Sequence, residues 1–228
     1  MLKTRSDELE IMDDLEISGP VVVQTLKELN TINRRLGGNA ISISALKKMV
    51  RSQSDFLLAD LGCGGGDIMK TMASWSRIEG KNATFVGIDA NPHIISYAEK
   101  NTSEFSEIAY QSINIFSEEF KKQAFDVIHC CLFLHHFSKD QLIQLFSHFK
   151  RKAKMGVIVN DLHRHPLAYW SISFLTYLFS KSSMVRNDAA VSVARGFKKA
   201  ELEEILQKAG ISDYSLSWKW AFRWKLVF

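Results

Sequence analysis

Three classes of residue are scarce in this 228-residue chain, and each shortage excludes something. There are only three cysteines, Cys63, Cys130 and Cys131, two of them neighbours. An odd count without a CxxC pair argues against a disulfide framework and against structural zinc, and points to a reducing cytoplasm. Only three prolines and twelve glycines are present, so collagen-like and linker-rich designs are excluded. The longest uncharged apolar stretch, Pro166 to Ser180, is 15 residues and is broken by serine and threonine. A membrane span needs roughly 20 residues. The first residues, MLKTRSDELEIMDDLEI, mix both charge signs without an apolar core, so no signal peptide is expected. Strong charge bias is lacking too. The net charge is +4, with lysine and arginine scattered apart from short clusters such as Lys150 to Lys154, so nucleic acid is not an expected partner.

Ordinary globular chemistry remains. Hydrophobic residues make up 46% and charged residues 24%, enough for one sizeable core and too apolar for disorder. No internal repeat or low-complexity tract is visible. The first 50 residues read as helical. Leu9, Met12, Leu15 and Ile17 suggest a short amphipathic helix closed by Gly19-Pro20. A second helix runs from Val21 to Leu36 before Gly37-Gly38, and a third spans Ser44 to Arg51.

From Phe56 the texture alternates between short apolar runs and helical stretches. Strands are expected at 56–60, 84–89, 108–111, 125–131 and 156–160, with helices after most of them. Such alternation means βαβ units and a parallel sheet covered on both faces. A greasy insert, Leu167 to Ser180, follows the fifth strand, and Glu201 to Ala209 ends at Gly210 as a helix. The tail from Tyr214 to Phe228 alternates with period two and reads as two closing strands with one buried face and one solvated face.

The sharpest chemical signal is Asp60-Leu-Gly62-Cys63-Gly64-Gly-Gly66-Asp67 at the end of the first strand. Ligands of open α/β sheets bind beyond that edge, where glycines let the backbone approach closely. A dinucleotide loop of the form G-x-G-x-x-G would place a glycine where Asp67 stands, and an acid there repels phosphate. Asp89 ends the second strand 23 residues after Gly66, a position from which a carboxylate can hold both ribose hydroxyls. Together these features describe a pocket for a nucleoside without phosphates.

LLADLGCGGG, FVGIDANP, FDVIHCCLFLHHF and the terminal strand pair resemble the ordered motifs of class I S-adenosylmethionine-dependent methyltransferases. LHHF is similar to the ubiquinone/menaquinone-type small-molecule enzymes, and NDLHRHPLAYW with SVARGFKKAEL to bacterial enzymes of phenolic or polyketide-derived products. The resemblance implies an α/β Rossmann-like, mostly parallel seven-stranded sheet with helices on both faces and an antiparallel C-terminal strand. It implies an N-terminal helical cap over 1–52 and a methyltransferase domain over 53–228, with a lid insert at 162–195, in one folding unit. The cofactor would be S-adenosyl-L-methionine, leaving S-adenosyl-L-homocysteine. Gly62, Cys63, Gly64 and Gly66 would line its methionine and ribose portion, and Asp60 would brace the loop. Asp89 would hold the ribose, with Ala90, Asn91, Asn114 and Ile115 beside the adenine and Cys131 and Leu132 near the sulfonium. The family often has an acid where Asn114 stands.

Methyl transfer to a phenol or enol needs a base, and histidine is the natural one. His135 is the first choice and His163 the second, each with a neighbouring histidine, at the loops after the fourth and fifth strands. Arg164 would orient an acidic acceptor or lie in solvent, while Tyr169, Trp170 and Phe174 of the insert would cover a hydrophobic small-molecule acceptor. Asn33, Arg34 and Arg35 would reach the cofactor carboxylate. No metal is expected, because no carboxylate and histidine ligand set clusters in the sequence. Methylation of RNA or protein, and a non-catalytic cofactor-binding role, are the alternatives.

Overall fold

The computed structural model describes residues 2–228. Seven strands form one sheet: β1 (Asp55–Leu61), β2 (Asn82–Asp89), β3 (Ile108–Ser112), β4 (Phe125–Cys131), β5 (Ala153–Leu162), β6 (Ser215–Lys219) and β7 (Arg223–Val227). Their order is β3-β2-β1-β4-β5-β7-β6. The first five pair in parallel, and β7 runs antiparallel between β5 and β6. The chain crosses from β3 back to β4 on the far side of β1. That reversal leaves a crevice above the ends of β1 and β4, the place where open α/β sheets bind ligands.

Side-chain alternation explains why helices cover both faces. On one face Ala59, Leu61, Ile128, Cys130, Val157 and Val159 pack against α6 (Lys139–Lys152) and α9 (Lys199–Lys208). On the other, Phe56, Leu58, Phe85, Val127 and Ile158 meet α2 (Gly38–Met49) and α3 (Asp67–Ile78), with Ile95 of α4 (Pro92–Asn101). Both sets are buried, which is why these strands read as unbroken apolar runs. A short helix, α5 (Glu118–Lys122), leads into β4.

Several expectations are corrected. Leu9 to Ile17 does not form a helix but an extended strap with one 3-10 turn at Ile11–Asp13, because the Asp188 carboxylate draws the Ile11 and Met12 N–H groups sideways to α8 (Ser183–Arg195). Beyond it, α1 (Pro20–Arg35) starts on a proline at the first turn and leans on α2 and α8. The insert is two helices, α7 (Pro166–Phe179) and α8. Trp170 and Phe174 point outward from α7, with 65% and 62% exposure. The tail is a hairpin whose two strands do not share one buried face, since Trp218 and Trp220 are exposed while Arg223 is buried.

Candidate active site

A cavity of about 760 Å³ opens above β1 and β4. One of its walls is the loop after β1. There Gly62 and Cys63 donate their N–H groups to the Ile88 carbonyl, tying the loop to β2 at 2.8 and 3.2 Å. Gly62 sits at φ +66°, and a Cβ on it would stand 2.2 Å from the Phe133 ring. Gly66 sits at φ +76° against the Tyr110 hydroxyl and opens α3. Gly62, Cys63, Gly64 and Gly65 line the cavity and Gly66 does not, so the expectation for Gly66 shifts back one residue.

Asp60, Asp89, Ala90, Asn91, Asn114, Ile115, Cys131 and Leu132 line the same cavity. Asp60 is buried, with one carboxylate oxygen held by His129 Nδ1 at 2.6 Å and the other without a partner. Burial raises the Asp89 carboxyl above its usual range, partly offset by the N–H groups of Asn91, Gly64 and Ala90. Asn91 also caps α4, accepting from the His93 and Ile94 N–H groups. The Asn114 amide oxygen accepts from the Phe116 N–H at 2.9 Å. Leu132 stands at φ +53°, a costly conformation for a leucine.

The opposite wall carries an acid–base network. His135 is 2% exposed; its Nδ1 meets Asp161 at 2.7 Å, and its Nε2 lies 3.4 Å from Glu10 Oε1. Burial works against the imidazolium, yet the Asp161 and Glu10 carboxylates outweigh it and push His135 up to about 9. Glu10 and Asp161, although buried, are held below the usual carboxylate range by His135. Next door, His136 Nδ1 meets Asp13 at 2.5 Å, and Arg195 contacts both Asp13 and Glu10. The expectation that no carboxylate and histidine set would cluster is therefore overturned. Donor atoms of Glu10, His135 and His136 lie within 4.8 Å of one another. Each imidazole meets an aspartate through Nδ1, and Arg195 lies against both Glu10 and Asp13.

Other expectations fail for identifiable reasons. His163 is not on the cavity wall; its N–H donates to the Phe222 carbonyl and its ring packs 5.0 Å from Trp224. Arg164, 1% exposed, neither faces solvent nor the cavity but pairs with Glu201 and the Gly196 carbonyl. Tyr169, Trp170 and Phe174 are replaced on the cavity wall by Ala168, Ser171, Ile172 and Leu175, one stripe of the same helix. Asn33 lines the cavity, whereas Arg34 and Arg35 are exposed outside it. Sequence reasoning missed Glu10, Asp13, Asp161, Arg195 and Arg223. Of these, only Asp161 carried a readable signal, an acid at the end of a strand.

Comparison with known proteins follows the same line. The model of the methyltransferase domain family matches residues 53–210. The chain belongs to this family of S-adenosylmethionine-dependent methyltransferases. The chain is similar in structure to human N-acetylserotonin methyltransferase in complex with S-adenosylmethionine (TM-score 0.64, 19% identity, 90% of this chain and 55% of that one). It is also similar to magnesium protoporphyrin IX methyltransferase from Synechocystis PCC 6803 (0.56, 14%, 95% and 87%). A third neighbour is an S-adenosylmethionine-dependent methyltransferase from Aquifex aeolicus (0.63, 15%, 89% and 95%). The chain thus spans a little over half the length of the human enzyme. A search of the curated proteins found no match. Among the described residues no helix is long and apolar enough to cross a membrane.

Proposed function

We propose that the enzyme methylates a hydrophobic small molecule at a phenolic or enolic oxygen, on an acceptor of quinone-precursor or polyketide type. One observation carries this reading. A single cavity joins the glycine loop and Asp89 to the acid–base pair His135 and Glu10 and to apolar side chains of α1, α7 and α8. Its volume, about 760 Å³, is in the upper half of the range of about 300–1,000 Å³ usual for small-molecule sites. The neighbour named for N-acetylserotonin, itself a phenol, is consistent with that oxygen, and the one named for a magnesium porphyrin with a hydrophobic small molecule.

The residues fit the cofactor. Bare backbone at Gly64, with only Leu26 nearby, would admit the methionyl chain, Asp89 would accept from the ribose hydroxyls, and the unpartnered oxygen of Asp60 suits an ammonium group. The bound cofactor would supply a sulfonium methyl group that an oxygen nucleophile takes in line, the S–CH3 bond breaking as O–CH3 forms and S-adenosylhomocysteine leaving as a neutral thioether. The protein must therefore position the acceptor, exclude water and take its proton. Leu26, Ile172, Leu175 and Val185 supply the apolar wall. Neutral His135 receives the hydroxyl proton at Nε2; Asp161 fixes the ring through Nδ1, and Glu10 stabilises the imidazolium that results.

The test is transfer of labelled methyl from S-adenosylmethionine to a panel of phenols, quinone precursors and pyrones, with transfer RNA and denatured protein as competitors. Label on the small molecules supports the reading. Label only on RNA or protein, or none on any acceptor despite tight S-adenosylhomocysteine binding, would sink it.

A further inference from the structure

Arg223 opens β7 beside the ends of β4 and β5, and only 2% of it is exposed. No carboxylate of the described residues pairs with it. Its Nη1 reaches the Asn160 amide oxygen at 3.5 Å, and its Nε has no partner at all. Asp161 acts on it from a distance, but that carboxylate is committed to His135 and to the N–H groups of Phe133, Leu134 and Leu162. The adjacent Cys131 thiol, pushed up to about 11 by burial, is neutral and supplies no counter-charge. A guanidinium removed from water without a paired anion is costly, and among the described residues none pairs with it.

A second feature converges on the same place. Helix α2 begins at Gly38, after Gly37 in the left-handed conformation, and no side chain caps it. Its first N–H groups take no side-chain acceptor, its dipole presents its positive end here, and Asn39 of this first turn lines the cavity. A Cβ on Gly38 would stand 3.0 Å from Arg223 Cζ and 1.8 Å from Asn33 Oδ1, so both side chains close over bare backbone at the helix start. Arg223, Asn33, Asn39 and Cys131 share the cavity wall.

We propose that Arg223 and the N-terminus of α2 form a carboxylate-binding subsite within the cavity. This deepens the reading above and rests on it. A guanidinium fork and helix N–H groups match a planar, singly charged carboxylate. Two ligands could bring one: the methionyl portion of the cofactor, or an acceptor that is itself an aromatic acid.

Calorimetric titration of wild type and Arg223→Gln separates these sources. The first pair of probes is S-adenosylhomocysteine and 5′-methylthioadenosine, which lacks the amino-acid portion. The second, with S-adenosylhomocysteine saturating, is 4-hydroxybenzoate and 4-hydroxybenzamide. Arg223→Gln is expected to cut the preference for the carboxylate-bearing member of one pair at least tenfold while leaving the neutral member unchanged. Loss in the first pair assigns the cofactor; loss in the second assigns the acceptor. Equal losses on both members, or none in either pair, overturn the subsite. If the wild type binds neither nucleoside, the cofactor site fails and the subsite with it. Asn33→Asp keeps the proposal testable if Arg223→Gln does not fold. The new carboxylate should pair with Arg223, raise the melting temperature and compete at least tenfold against the same ligand. An Asn33→Asp protein with unaltered preferences also overturns it.

Discussion

The two ends of the cavity are built by different means. At the β1–β2 end the ligand-facing groups are main chain and short side chains within loops, Gly62 to Gly65 and Asp89 to Asn91, held by bonds between neighbouring strands. At the β4–β5 end they are buried side chains gathered from remote segments. Glu10 reaches His135, Asp13 reaches Arg195, and Arg223 and Asn33 both close over Gly38. Binding an invariant cofactor requires a fixed cradle, which local backbone geometry supplies. Handling an acceptor's proton requires paired charges in a dry place, and those are assembled by tertiary packing.

Substitutions should therefore separate binding from chemistry. The largest effect is expected from His135→Ala, which should lower turnover by about 10²–10⁴-fold with S-adenosylhomocysteine affinity intact. Full turnover on the true acceptor would remove His135 as the base. Asp89→Ala should do the reverse, through charge-assisted hydrogen bonds worth about 1.5–3 kcal/mol. Calorimetry should show cofactor affinity about 10–100-fold weaker, with turnover retained at saturation, and unchanged affinity would erase the contrast between the two ends.

The acid–base end should also declare itself by pH. With His135 raised from 6.5 to about 9, its folded-state contribution is complete below about 6.5 and disappears as pH rises through 9. Melting temperature should fall by roughly 5–10 °C over that window. A base must be neutral to act, so kcat/KM should climb over the same interval and level off only above pH 9. A flat rate profile from pH 7 to 9 would contradict the assignment. The smallest effect sharpens the acceptor wall. Ile172→Ala should raise acceptor KM roughly tenfold, while Phe174→Ala, on the outer face of α7, should leave steady-state kinetics alone.

The same division explains what the sequence discloses. The parallel sheet, the glycine loop and Asp89 are visible because periodicity and loop chemistry are local. Even there, Gly66 is displaced by one residue, since its left-handed turn serves the start of α3. His135 is legible as a cavity-wall residue because a histidine after a strand end faces a crevice. Its partner Glu10 is not, since nothing in a polar N-terminal segment announces a fold-back over 125 residues of sequence. Trp170 and Phe174 mislead for the opposite reason. In a helix apolar on every side, hydrophobicity alone cannot say which stripe faces inward, and the smaller residues do.

The N-terminal strap has a consequence in time as well as in space. Ser6 bonds to Ala194, Glu10 to Ser192 and Ile11 to Asp188, closing a loop that encompasses most of the chain. Contacts of such long sequence separation form late, because the closure entropy falls due before any bond compensates it. During synthesis the Glu10 carboxylate emerges well before α8, and it waits until α8 has left the ribosome before it has a place to dock.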